Sequence, residues 1–201
     1  QSRDGTFDMR IEHGRVAQVD KNLPVDAARV VDVPPHVVVC PGLIDLHVHL
    51  REPGQEHKET VATGVQAAVA GGFVGVVCMP NTVPVNDHAG VTELILQRAA
   101  EAGLSRVYPV GAVSIGSKGE QLTEIGELQK AGCVAISDDG HPVADSLLMR
   151  RALEYASMFD IPVINHCEDP SLTADGSAHE GYHAAVLGLR GIPGAAESIM
   201  V

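Results

Sequence analysis

The stretch Leu43-Ile44-Asp45-Leu46-His47-Val48-His49 decides how the rest of the chain is read. An apolar run of strand length ends in His-x-His. A strand turns alternate side chains to one face, so both imidazoles are aimed at one point. Two neutral imidazoles and a carboxylate are the usual donor set of a hydrolytic zinc site. Asp139, in Ser137-Asp138-Asp139-Gly140, and His166, in Ile164-Asn165-His166-Cys167-Glu168-Asp169, are the matching groups further along.

Outward from this stretch, apolar strand-like runs recur at 43–48, 74–79, 107–113, 133–137 and 162–166. Helical patterns lie between them. Val91, Leu94, Ile95 and Ala99 share one helix face, and Asp145 is placed to cap a helix with the stripe Leu148, Ala152, Tyr155 and Phe159. Residues 60–71 form an Ala/Val-rich run that stops at Gly71-Gly72. Near-continuous apolar strands separated by helices imply a parallel sheet covered on both faces. His47/His49, Asn81, Ser114, Asp138/Asp139 and His166 each follow the apolar body of a successive strand. A barrel gathers such strand ends at one mouth, whereas a doubly wound sheet concentrates its ligand groups at one switch point. The fold class expected is therefore α/β: the first five βα units of an incomplete (β/α)8 TIM-type barrel, residues 37–201. Part of a small β-rich domain, residues 1–36, precedes it, with short strands at 9–12 and 16–19. Residues 195–201 read as a helix without a stop signal, and five strands leave an open edge. The sequence is therefore expected to be part of a longer protein.

The chain has 201 residues, 45% hydrophobic, enough for a substantial core. Aromatics make up 3% with no Trp, so Val, Ala, Leu and Ile fill the interior. A formal net charge of −12 argues against nucleic acid or an anionic membrane surface as partner. It leaves an anionic substrate open, because a metal and one Arg dominate the field inside a pocket. No apolar run reaches the roughly 18–20 residues of a membrane span. Cys40, Cys78, Cys133 and Cys167 form no C-x-x-C pair and read as free thiols of a reducing cytosol.

Four motifs in order, residues 41–54 (Pro41-Gly42 through Arg51-Glu52-Pro53-Gly54), Met79-Pro80-Asn81-Thr82, Ser137-Asp138-Asp139-Gly140 and His166-Cys167-Glu168-Asp169, resemble the dihydroorotases of the amidohydrolase superfamily. Gly188-Leu189-Arg190-Gly191-Ile192-Pro193 with Ala196-Glu197 is similar to the helix entry that follows. The resemblance implies Zn2+, two ions in a complete site, with His47 and His49 on one, His166 on the other and Asp139 shared. It implies Arg51 and Asn81 as contacts of a substrate carboxylate. It also implies a further metal histidine and a proton-transferring Asp beyond Val201. A bridging carboxylate, where related cyclic amidases carry a carbamylated Lys, is similar to the class I bacterial type.

The activity implied is the reversible cyclisation of N-carbamoyl-L-aspartate to L-dihydroorotate in de novo pyrimidine biosynthesis in the cytoplasm. The partners implied are this small-molecule substrate and either a second copy or aspartate transcarbamoylase. Three rival readings stand beside it: a dihydropyrimidinase- or allantoinase-like amidohydrolase, an inactive homologue serving as a structural partner of aspartate transcarbamoylase, and a free-standing half-barrel binding module. Among neighbouring residues, Asp45 is expected to support the histidines or make a strand-end hydrogen bond. Asp138 is expected to face away from Asp139, with a turn or supporting role. Glu168 and Asp169 are expected to cap the loop after the fifth strand. Arg51 falls on the face of His49 if the strand continues that far.

Overall fold

Alternation along the strands sets the architecture of the larger of two units. The computed structural model describes residues 5–25 and 29–201. The chain divides into Gln1–Pro41 and Gly42–Val201. In the first unit, β1 (Asp8–Glu12) and β2 (Arg15–Asp20) form an antiparallel hairpin. Its two-residue turn is His13-Gly14, both at positive φ, the conformation that brings adjacent strands together tightly. Residues 1–4 and 26–28 of the expected N-terminal β-domain lie outside the described residues.

In the second unit, β3 (Leu43–Val48), β4 (Phe73–Cys78), β5 (Arg106–Gly111), β6 (Ala135–Ser137) and β7 (Val163–Ile164) pair in parallel, each with the next. Helices α1 (Val61–Ala70), α2 (Ala89–Ala102), α3 (Ile125–Ala131) and α4 (Ser146–Ser157) connect them. The sheet is a curled five-stranded half-barrel, as the motif order led us to expect.

Each connecting helix starts or stops where its sequence dictates. Thr60 and Thr63 form a reciprocal capping box on α1, and Asp145 accepts the Leu148 N–H at 2.8 Å to open α4. Gly103 and Gly132 close α2 and α3 in the left-handed conformation.

Residues of one parity on the strands pack against the helices. Val76, Cys78 and Val107 bury with Val61, Val65, Val91 and Ile95, and Ile136 buries with Ile125, Leu128 and Ala152. The opposite parity makes a second layer, Val77, Met79, Val110 and Ala135 with Tyr108 and Ile164. At one edge of the sheet, β3 leaves Leu43, Ile44 and Leu46 at 50%, 53% and 70% exposure, as an unclosed barrel should. No helix among the described residues is long and apolar enough to cross a membrane.

Two details depart from the sequence reading. The fifth strand is two residues long, so His166 stands beyond it in a loop. The terminal run is a single helical turn, α7 (Ala195–Ser198), closed by the Ile199 N–H on the Ala195 carbonyl. Before it come α5 (Pro170–Thr173), β8 (Ala178–His179), α6 (Tyr182–Leu187) and β9 (Gly191–Ile192). The short parallel pairing of β8 with β9 had no periodic signal to announce it.

Candidate metal centre

The parity that separates the two layers also sorts the polar residues at the strand ends. Counting on from Val77 and Met79 gives Asn81; from Ala135 and Ser137, Asp139; from Ile164, His166. All three continue the layer that faces away from the helices. His47 and His49 have the parity opposite to Val48 and Leu50, which pack with the helices. Four strands therefore deliver side chains to one side of the sheet at its C-terminal edge.

There they meet around Asp139, a carboxylate with 9% of its side chain exposed. His47 Nε2 lies 3.2 Å from its Oδ1, His49 Nε2 3.7 Å from its Oδ2, and His166 Nδ1 3.9 Å from its Oδ1. Ligand atoms of His47, His49 and Asp139 all fall within 4.8 Å of one another. His166 touches the same carboxylate but stands outside that closest group, with its Nε2 against Glu168 Oε2 at 3.0 Å. Among the described residues, the ion-pair geometries of Asp139 are all with imidazoles and none with Lys or Arg.

Asn81 joins two of these groups. Its Nδ2 donates to Asp139 Oδ2 at 3.2 Å and its Oδ1 lies 2.9 Å from His49 Nδ1. An ionised carboxylate only accepts, so the amide nitrogen must face Asp139 and the amide oxygen His49. The His49 hydrogen then sits on Nδ1, and its Nε2 lone pair points at a carboxylate oxygen. Two acceptors face each other with no hydrogen between them, an arrangement that a cation completes. The donor set of imidazole nitrogens and a carboxylate suits a divalent transition metal.

Asp139 is held from behind by its own N–H, which donates to Ser137 Oγ at 3.1 Å. Asp138 turns to the opposite side, as neighbours on an extended backbone must. It is buried and accepts both the N–H of Ser114, at 3.0 Å, and the Ser114 hydroxyl. Burial pushes its carboxyl up from the ordinary range, and the Ser114 hydrogen bonds pull it part of the way back. Asp45 accepts the His47 N–H at 3.1 Å, the strand-end hydrogen bond.

Arg51 lies off the strand. β3 ends at Val48, and Arg51 adopts a left-handed φ of 62°. The face it shares with His49 in an extended chain is therefore not what positions it. Among the described residues its guanidinium has no hydrogen-bond or ion-pair partner. The loop it belongs to is anchored on both sides. Glu52 takes the Val61 N–H at 2.9 Å and pairs with Arg98 at 3.2 Å. Gly54, at φ 93°, lies so close to the β4 loop that a Cβ would meet the Val83 carbonyl oxygen at 1.9 Å.

The loop carrying Asn81 is secured by Asn86, a residue the motifs did not single out. It is fully buried, donates to the Val110 carbonyl at 2.8 Å and accepts from Thr92 Oγ1 at 2.7 Å. Its backbone N–H reaches the Pro80 carbonyl at 3.0 Å, and its carbonyl takes the Ala112 N–H at 2.8 Å. An Asn after Pro-Val looks like turn chemistry in sequence, so nothing there marks it as a buried joint between strands.

A family model described as Dihydro-orotase-like matches residues 36–201. A dihydroorotase from Anaeromyxobacter sp. (strain K) is 60% identical over 200 residues, 98% of this chain and 46% of that protein. The dihydroorotase of Syntrophotalea carbinolica is 54% identical over 194 residues, 96% of this chain and 45% of that protein. The chain thus spans about half the length of the curated relatives it matches. Among solved structures, the L-hydantoinase (dihydropyrimidinase) from Arthrobacter aurescens aligns with a TM-score of 0.69 at 19% identity. The alignment covers 83% of this chain and 38% of that one, and the likeness is one of fold.

Proposed function

This chain belongs to the dihydro-orotase-like family, and from that premise we propose that it carries part of the active site of a zinc-dependent dihydroorotase. The reaction is the reversible ring closure of N-carbamoyl-L-aspartate to L-dihydroorotate, the cyclic-amide step of pyrimidine synthesis. The observation that carries the reading is the convergence of His47, His49 and Asp139 ligand atoms within 4.8 Å, with His166 at 3.9 Å from the same carboxylate. Relatives named dihydroorotase at 54–60% identity support the substrate class.

His47 and His49 would hold one zinc ion through Nε2, His166 the other, and Asp139 both, since histidines of both sets face its carboxylate, His47 and His166 at Oδ1 and His49 at Oδ2. Bound zinc would polarise the amide carbonyl and lower the pKa of a coordinated water to about 7. The protein's own part is positioning. Asn81 keeps the His49 Nε2 lone pair turned inward, and Ser137 steadies Asp139. Arg51, a guanidinium without a partner among the described residues, would pair with the substrate carboxylate through its planar fork, with Asn81 as the second contact. In the hydrolytic direction a carboxylate outside this sequence would take the proton of the attacking water and pass it to the leaving ring nitrogen, and in ring closure the transfer would run in reverse.

The proposal includes a small β-domain formed in part by residues 1–36 ahead of the barrel portion at 37–201. It places the enzyme in a reducing cytosol and includes assembly as a homodimer or with aspartate transcarbamoylase. Elemental analysis of the intact protein, with turnover measured on dihydroorotate, dihydrouracil and allantoin, tests the reading. Two zinc ions per chain and turnover confined to the carboxylate-bearing ring are the expected results. Preferred turnover of a ring without the carboxylate, or full activity without bound metal, overturns it.

A further inference from the structure

His166 meets two carboxylates, and the one it holds closely is not among the residues assigned to the cation. Its Nε2 lies 3.0 Å from Glu168 Oε2, while its Nδ1 faces Asp139 Oδ1 at 3.9 Å. A carboxylate oxygen accepts and does not donate, so the hydrogen between His166 and Glu168 sits on Nε2. The neutral ring then carries its lone pair on Nδ1, the nitrogen turned to Asp139. Resting on the reading of His166 as a zinc ligand, we propose that Glu168 is a positioning residue that locks His166 in the Nε2–H tautomer and so presents Nδ1 to the cation shared with Asp139. His49 is the reverse case, with Nδ1 held by Asn81 and Nε2 turned inward. The two rings offer opposite nitrogens to one carboxylate because different neighbours hold their outer ones.

The backbone around Glu168 is fixed on both sides. Asn165 Oδ1 accepts the Val143 N–H at 3.5 Å, and the Cys167 thiol points away, to the Met200 carbonyl at 3.6 Å. Asp169 donates its N–H to the Ala196 carbonyl at 2.8 Å and caps α5 through its side chain. Between these anchors Glu168 is the residue free to turn back on His166. The side chains are 35% and 44% exposed, a setting in which an ion pair adds little to folding. Orientation of the ring is what the contact supplies.

The test uses the intact protein as wild type, Glu168→Ala, Glu168→Gln and His166→Ala, titrated with Zn2+ against a chelator. Glu168→Ala should bind the second equivalent about 10–100-fold more weakly while the first is unchanged. Glu168→Gln should restore most of the affinity, because its Oε1 still accepts the Nε2–H. In ¹⁵N-histidine spectra of the metal-free protein, His166 should be the Nε2–H tautomer in wild type and Glu168→Gln and lose that preference in Glu168→Ala. A wild-type His166 carrying its hydrogen on Nδ1 overturns the proposal, and this reading stands even if Glu168→Ala fails to fold. Wild-type affinity in Glu168→Ala, with the second equivalent lost in His166→Ala, overturns the role of Glu168 alone. Retention of that equivalent in His166→Ala overturns the ligand assignment beneath it.

Discussion

On one flank of Asp139 stand His47 and His49, carried by the end of a six-residue strand and braced by Asn81 from the strand beside it. On the other flank stands His166, two residues past a two-residue strand and braced by a neighbour in its own loop. The first flank inherits its geometry from paired backbone and a buried core, so its ligand atoms already cluster within 4.8 Å. The second depends on local side-chain contacts, and His166 stands outside that cluster. Long-range pairing thus preorganises one half of the site, and short-range contacts the other.

Four experiments break or sharpen this contrast. The largest effect is expected from Asp139→Ala in the intact protein, because both flanks share that carboxylate. Both zinc equivalents should be lost and turnover should fall by on the order of 10³-fold or more. His47→Ala should remove one equivalent and His166→Ala the other; normal zinc content in Asp139→Ala would sink the shared-ligand assignment. Next, Arg51→Ala should lower kcat/KM by roughly 10²-fold with zinc content unchanged. An unaltered kcat/KM rejects the anchor role.

Third, Asn86→Ala strips the joint behind the Asn81 loop, leaving the Val110 carbonyl and the Thr92 hydroxyl short of partners in the core. A loss of about 2–4 kcal/mol in urea unfolding is expected. An unchanged midpoint and slope would mean that the loop is held by other contacts. The smallest effect concerns thiols. Burial pushes the Cys78 thiol up to about 12 from the ordinary 9.0 and raises Cys133 as well. Both stay protonated near neutral pH, so native alkylation should mark exposed Cys40 and spare these two. The raised folded value also gives a sign for stability. The contribution of Cys78 is complete below the unfolded thiol value and is lost as pH rises through about 12. Rapid labelling of Cys78 in the native protein would contradict that burial.

Strand and helix positions were legible because they rest on periodicity, a local property. The five apolar runs became β3 to β7, and Thr60, Gly71, Asp145 and the stripe from Leu148 to Phe159 behave as their chemistry requires. The common aim of His47 and His49 was legible for the same reason, since side-chain parity on a strand survives any tertiary arrangement, whereas the choice of Asp139 over Asp138 rested on the resemblance to the dihydroorotases. Arg51 shows where that reasoning stops. Its parity argument needed a continuing strand, and the chain turns instead into a left-handed conformation.

The order of residues along the chain was enough to determine the parallel α/β architecture, the faces of its strands and the residue types gathered at their ends. Only the tertiary structure decided which nitrogen each histidine turns inward, that Asn81 bridges His49 and Asp139, that Asn86 is a buried joint, and that Glu168 holds His166 rather than capping the loop after the fifth strand. The physical reason is range. Periodicity acts between residues a few positions apart, whereas a hydrogen bond from Asn81 to Asp139 spans 58 positions and exists only once strands are laid side by side.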